Sequence, residues 1–145
     1  MVASLPLALA IVAASALSCQ SGDAIGLTDP PLEGTLWEFV EIDGDTVAHF
    51  DNEEIPRLRL LPKDHSIDAW LSCNLFNGHY EMDGGQLTLR PAPVSWRDCV
   101  TSHEQEETIR RVLQRVTRYR IEGERLYLSD DERVLAILMA TSTAD

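Results

Sequence analysis

The chain has 145 residues, 44% of them hydrophobic and 25% charged, with a formal net charge of −12. That length fits one ordinary domain, which can bury a core without a structural metal. The acidic balance excludes the basic face that nucleic-acid backbones require and argues against adsorption to anionic lipid.

From Met1 to Cys19 there is no charged side chain; all 24 acidic and 12 basic residues follow. Leu5 to Ala14 is apolar and has the length of a secretory h-region, too short to span a bilayer comfortably. Ser15, Ala16, Leu17 and Ser18 then lead into Cys19, and the stretch resembles a lipobox. In that reading residues 1–18 are a signal peptide and Cys19 becomes a lipid-bearing amino terminus that takes palmitate. Two alternatives stand beside it. Ala14-Ser15-Ala16 also reads as an ordinary cleavage site that releases a soluble protein, and a retained helix, lacking a polar face, would need full enclosure. Residues 19–31, rich in Gly, Ser, Asp and Pro, read as a flexible tether of roughly 40 Å at full stretch.

The next elements are strands. Gly34 to Ile42 is rich in β-branched and aromatic residues and ends at the turn Asp43-Gly44-Asp45. Arg57 to Leu61 alternates basic and apolar, Pro62 to His65 is a turn, and Ser66 to Leu71 alternates with Ile67, Ala69 and Leu71 on one face. Gly78 to Met82, the turn Asp83-Gly84-Gly85 and Gln86 to Arg90 predict a hairpin, after which Pro91 and Pro93 break the ladder.

One helix is expected from about Ser102 to Thr117. Thr101 or Ser102 can cap it, with Glu104 or Gln105 completing a capping box. Ile109, Val112, Leu113 and Val116 form an apolar stripe, and Glu106–Arg110 and Glu107–Arg111 stand at favourable i,i+4 spacing. Tyr119 to Ile121, Arg125 to Leu128 and Val134 to Met139 then predict three more strands, separated by turns at Glu122-Gly123-Glu124 and Asp130-Asp131. The fold class that follows is α+β, a mostly antiparallel curved sheet or open barrel interrupted by one amphipathic helix. The domain spans 32–139, and 140–145 read as a disordered tail.

Three cysteines make an odd count. If Cys19 carries lipid, Cys73 and Cys99 remain as an even pair, and an oxidising compartment permits a disulfide between them. Closing that loop is worth about 3.5 kcal/mol on the chain-entropy account. The alternative is two separate buried thiols. His79 and His103 are candidate bases for a cysteine nucleophile, although no local spacing directs either one to Cys73 or Cys99.

The order of short motifs resembles a family. Gly34-Thr35 and Trp37 open the first strand, Ser72-Cys73-Asn74 precedes Asn77-Gly78 and Tyr80, and Cys99 precedes the Glu-led helix. This pattern resembles the META domain, the module of HslJ-like heat-shock proteins and many bacterial envelope lipoproteins. The family pattern carries Gly-Cys-Asn where this chain has Ser72, so the turn there is expected to differ. It also tends to place a Thr and a Met before the second cysteine, where Ser95, Trp96, Arg97 and Asp98 stand here. The resemblance implies a small α+β fold akin to an open barrel, with no established catalytic residues and an association with envelope stress or antibiotic tolerance. Trp37, Cys73, Asn74, Gly78, Tyr80 and Cys99 are the residues that carry it.

Other constellations have plain readings. Asp64, His65 and Asp68 could begin a metal site, but a fourth ligand is missing and they read as a solvated turn, so no metal or cofactor is expected. Asp43-Gly44-Asp45 and Asp130-Asp131-Glu132 lack calcium-loop spacing. Residues 23–54 hold ten acidic residues and no Lys or Arg, whereas residues 110–125 hold six of the twelve basic ones. That asymmetry reads as a solvated acidic edge plus helix-dipole compensation, with a polarised surface for a basic partner as the sharper alternative. Trp37, Phe39, Trp70, Phe76 and Trp96 read as packing residues; an acyl-chain cavity would use the same types.

The expected function is that of a non-catalytic envelope lipoprotein acting by contact. It is held to a membrane through Cys19, meets an envelope protein partner, binds no nucleic acid and is a monomer. Gln20, in place of a retention Asp, favours an outer membrane facing the periplasm where two membranes exist. The alternatives are a carrier or chaperone for an apolar ligand, a secreted soluble protein, and a thiol enzyme.

Overall fold

The computed structural model describes residues 28–92, 97 and 101–141. The strands are β1 (Leu36–Ile42), β2 (Asp45–Thr46), β3 (Arg57–Leu61), β4 (Ser66–Trp70), β5 (Leu75–Asp83), β6 (Gln86–Pro91), β7 (Arg118–Glu122), β8 (Arg125–Ser129) and β9 (Val134–Thr141); the helix α1 (His103–Arg115) lies between β6 and β7. Neighbouring strands pair antiparallel in the order β1-β3-β4-β5-β6-β7-β8-β9, and β9 returns to β1, so eight strands close into a barrel. The two-residue β2 is an unpredicted ribbon on the end of β1. Where the motif resemblance implies an open barrel, the ring is shut, because β1 pairs with β9 from Leu36↔Thr141 to Ile42↔Ala136.

Alternation places the apolar set inside. Trp37, Leu58, Leu60, Ala69, Leu87, Leu126, Leu128 and Leu138 lose all exposure in one cluster with Phe39, Ile67, Phe76 and Tyr80. A bulge at Val40, between Phe39 and Glu41, lets both Phe39 and Ile42 face inward although they are three apart. Trp70 packs on the sheet, against its cross-strand neighbour Arg57, and not in the core. It lies half-buried beside the Arg57 guanidinium, 5.8 Å from its ring centroid, and donates Nε1–H to Ser72 O at 2.9 Å.

Gly78 is a steric requirement. A Cβ there would meet Arg90 O at 2.0 Å and Pro91 Cα at 2.9 Å, because β5 and β6 approach closely at the Gly78↔Pro91 pair. Past this point Ala92 N–H donates to Asn77 O at 2.7 Å and the chain departs for α1. The joint on the other side of the helix is short. β6 and β7 share only Gln86↔Arg118, flanked by Leu87 N–H on Thr117 O and Tyr119 N–H on Gly85 O, both at 3.0 Å.

The helix corrects three expectations. Ser102 is its N-cap but makes no side-chain capping bond, and its buried hydroxyl has no partner among the described residues; Gln105 instead pairs with the backbone of Ala48. Glu106 is fully buried and does not pair with Arg110. Arg110 takes Glu107 at i,i+3, and Arg111 reaches Thr108. The stripe of Ile109, Val112, Leu113 and Val116 is buried as expected. At the carboxyl end β9 runs to Thr141, two residues into what the sequence suggested was a tail.

Candidate functional site

The motif residues gather at the two ends of the barrel. At the helix end, the turn from β4 to β5 presents the Cys73 and Asn74 N–H groups to Glu106 Oε1 at 2.5 and 2.9 Å, and Asn74 Nδ2 donates to Glu106 Oε2 at 2.7 Å. Asn74 also exchanges bonds with the Arg97 backbone: Nδ2–H to Arg97 O at 2.9 Å, and Arg97 N–H to Asn74 Oδ1 at 2.8 Å. The Arg97 guanidinium donates to Cys73 O at 2.8 Å. A carboxylate without solvent contact is tolerated here because three N–H groups converge on it. The node joins the β4–β5 turn, the segment before the helix, and the helix itself.

Ser72 opens that turn at φ 112, in the left-handed region where a side chain is strained, and its buried hydroxyl has no partner among the described residues. The departure from Gly-Cys-Asn thus leaves the turn in the conformation glycine favours.

At the opposite end a strap, residues 31–35, crosses the barrel mouth. Leu32 is buried beneath it and its carbonyl accepts Trp37 Nε1–H at 3.0 Å. Gly34 N–H donates to Leu60 O at 2.8 Å, and Thr35 Oγ1 donates to Pro31 O at 2.7 Å. The Tyr80 phenol donates to Glu33, and His65 stacks on the Tyr80 ring at 5.4 Å. Burial, with Glu33 alongside, pushes the Tyr80 phenol above its ordinary value. Asp29 reaches past the strap to accept Gly123 N–H at 2.9 Å, so the last residues read as tether run along the barrel.

The remaining candidates stand apart. Asp64 accepts Ser66 Oγ–H at 2.6 Å, which holds its carboxyl below the usual range, while Asp68 lies exposed on β4. Among the described residues no group of three or more His, Cys, Asp or Glu could hold a metal. His79 occupies an exposed position on β5, and His103 is exposed at the start of α1. Cys73 lies half-buried in its turn. Cys19, Trp96 and Cys99 lie outside the described residues. Among the described residues, no helix is long and apolar enough to cross a membrane.

A closed eight-stranded antiparallel barrel, with one helix inserted before the sixth barrel strand and a Cys-Asn turn locked to that helix, defines a small α+β module. The META domain family model matches residues 30–142, and the chain belongs to that family. A solved structure titled "NMR structure of the protein" shares the fold at a TM-score of 0.56 and 18% identity, over 72% of this chain and 88% of its own. No curated protein matches the chain.

Glu106 is the site residue that the sequence reading misplaced. Its signal was present: it stands three residues before Ile109 and seven before Leu113, on the stripe destined for burial.

Proposed function

We propose that this META protein is a non-catalytic envelope lipoprotein, anchored through Cys19, that works by contact with another envelope protein. The observation that carries the reading is how its motif residues are used. Trp37, Asn74 and Tyr80 are buried and bonded to the protein's own groups, and Gly78 serves a close strand approach. The family signature therefore maintains the fold, and outer surfaces are left to meet partners. The barrel interior is filled by side chains, which disfavours the carrier alternative.

A disulfide between Cys73 and Cys99 belongs to the same proposal. It is supported by Arg97, two residues before Cys99, which already bonds the Cys73–Asn74 turn. Radiolabelled palmitate tests the anchor: incorporation by the natural chain and its loss in Cys19→Ala are expected, and an unlabelled natural chain removes the lipoprotein reading in favour of secretion. Thiol titration without reductant tests the pair, with no reactive cysteine expected in the mature protein. A reactive Cys73 revives the thiol-enzyme alternative.

A further inference from the structure

We infer that the groove between the strap and the β7–β8 hairpin takes an extended peptide segment of a partner, one that carries Lys or Arg beside apolar residues. This rests on the contact function proposed above and gives that contact a place and a chemistry. The groove has a volume of about 880 Å³, within the size range of ligand sites. Its floor is apolar, built by Pro30, Pro31, Leu36 and Ala140, and its lining carries Asp29, Glu33 and Glu124 with no Lys, Arg or His.

The carboxylates are only partly engaged. Asp29 gives one oxygen to Gly123 N–H, and Glu33 gives one to the Tyr80 phenol. The Glu124 side chain makes no hydrogen bond or ion pair among the described residues, although its backbone carbonyl accepts Ala140 N–H at 2.8 Å. Nearby, Arg120 is already paired with Glu122. Three carboxylates around an apolar concavity focus a negative potential that attracts cations and repels anionic lipid. An apolar floor of this size calls for more than a bare cation. An extended segment places charged and apolar side chains alternately along its length, which matches a rim and a floor.

Glu124→Arg is the discriminating variant, because it reverses a charge without removing a bond that the fold uses. The probe is a fluorescein-labelled nonapeptide alternating Lys and Val around a central Pro, titrated by anisotropy into the full chain in mild detergent. Its Glu-for-Lys counterpart is the control. Saturable binding of the basic peptide alone is expected. It should weaken with salt and fall about fivefold or more in Glu124→Arg, while Asp68→Arg, an equal charge change on exposed β4, leaves it intact. Equal losses in both variants overturn the groove in favour of net charge. A silent natural chain that binds once Ile25→Ser and Leu27→Ser are introduced overturns the external partner, since the protein's own amino-terminal segment then holds the groove. Silence in both chains also overturns it. Silence together with intact palmitate labelling removes only this inference, whereas failed labelling with intact binding removes only the anchor.

Discussion

At one end of the barrel a thirteen-residue helix seats three apolar side chains and a carboxylate; at the other a short strap seats one leucine and a phenol–carboxylate pair. Both ends exclude water, by different means. The helix end is held by a buried charge whose partners are mostly backbone N–H groups, so a turn, a connecting segment and a helix are fixed together. The strap end depends on a few separate bonds near the surface, beside the groove. One end ties three segments of chain into a single node, and the other leaves a groove beside its strap.

Gly78→Ala should break this arrangement most severely. A methyl 2.0 Å from Arg90 O separates β5 from β6 where the chain leaves for the helix, at a cost of about 3 kcal/mol or more in urea unfolding. Glu106→Gln comes next. It turns one acceptor into a donor facing the Cys73 and Asn74 donors, and should cost about 2–3 kcal/mol. Tyr80→Phe loses a single bond at the strap, about 1–1.5 kcal/mol. The inequality between these two variants is the sharpest check that the helix end is the stronger one. Ser72→Gly should act in the other direction, adding about 1 kcal/mol and raising Tm, because it relieves a left-handed backbone and removes an unpartnered hydroxyl.

Titration distinguishes the ends further. The native Tyr80 phenol ionises at higher pH than in the unfolded chain. The folded state therefore holds more protons above pH about 10, and stability falls as pH rises from there. Tyr80→Phe should remove that alkaline slope. In acid both ends weaken slightly. The N–H groups of Arg133 and Glu132 hold Asp130 low near the helix end, and Ser66 holds Asp64 low at the other. A depressed carboxylate gives its contribution above the unfolded value and loses it as pH falls through the folded one. Asp130→Asn should flatten the acid limb seen in urea midpoints.

Much of the fold is legible in the chain because strand alternation is a local signal. β3 runs from Arg57 to Leu61, as its basic–apolar rhythm predicts. The helix stripe is equally direct. What escaped depends on distant partners. Trp70 is indistinguishable by type from a core tryptophan until Arg57 is brought across the strand from it. Glu106 counts as a surface charge until the Cys73–Asn74 turn, more than thirty residues earlier, supplies its donors. Ring closure was hidden for the same reason, since neither β1 nor β9 carries a mark of its partner. The groove was invisible because its lining comes from three separated stretches of chain.

The β1–β9 seam has a consequence for how the protein is made. Thr141 Oγ1 donates to Leu36 O across 105 positions, so the first barrel strand can pair early with β3 but meets its second neighbour only once β9 has emerged. Until then the nascent sheet presents two raw edges, open to pairing with other chains. Ring closure is thereby deferred until β9 is available, and a polypeptide that stops short of Val134 exposes a β1 edge that the closed barrel conceals.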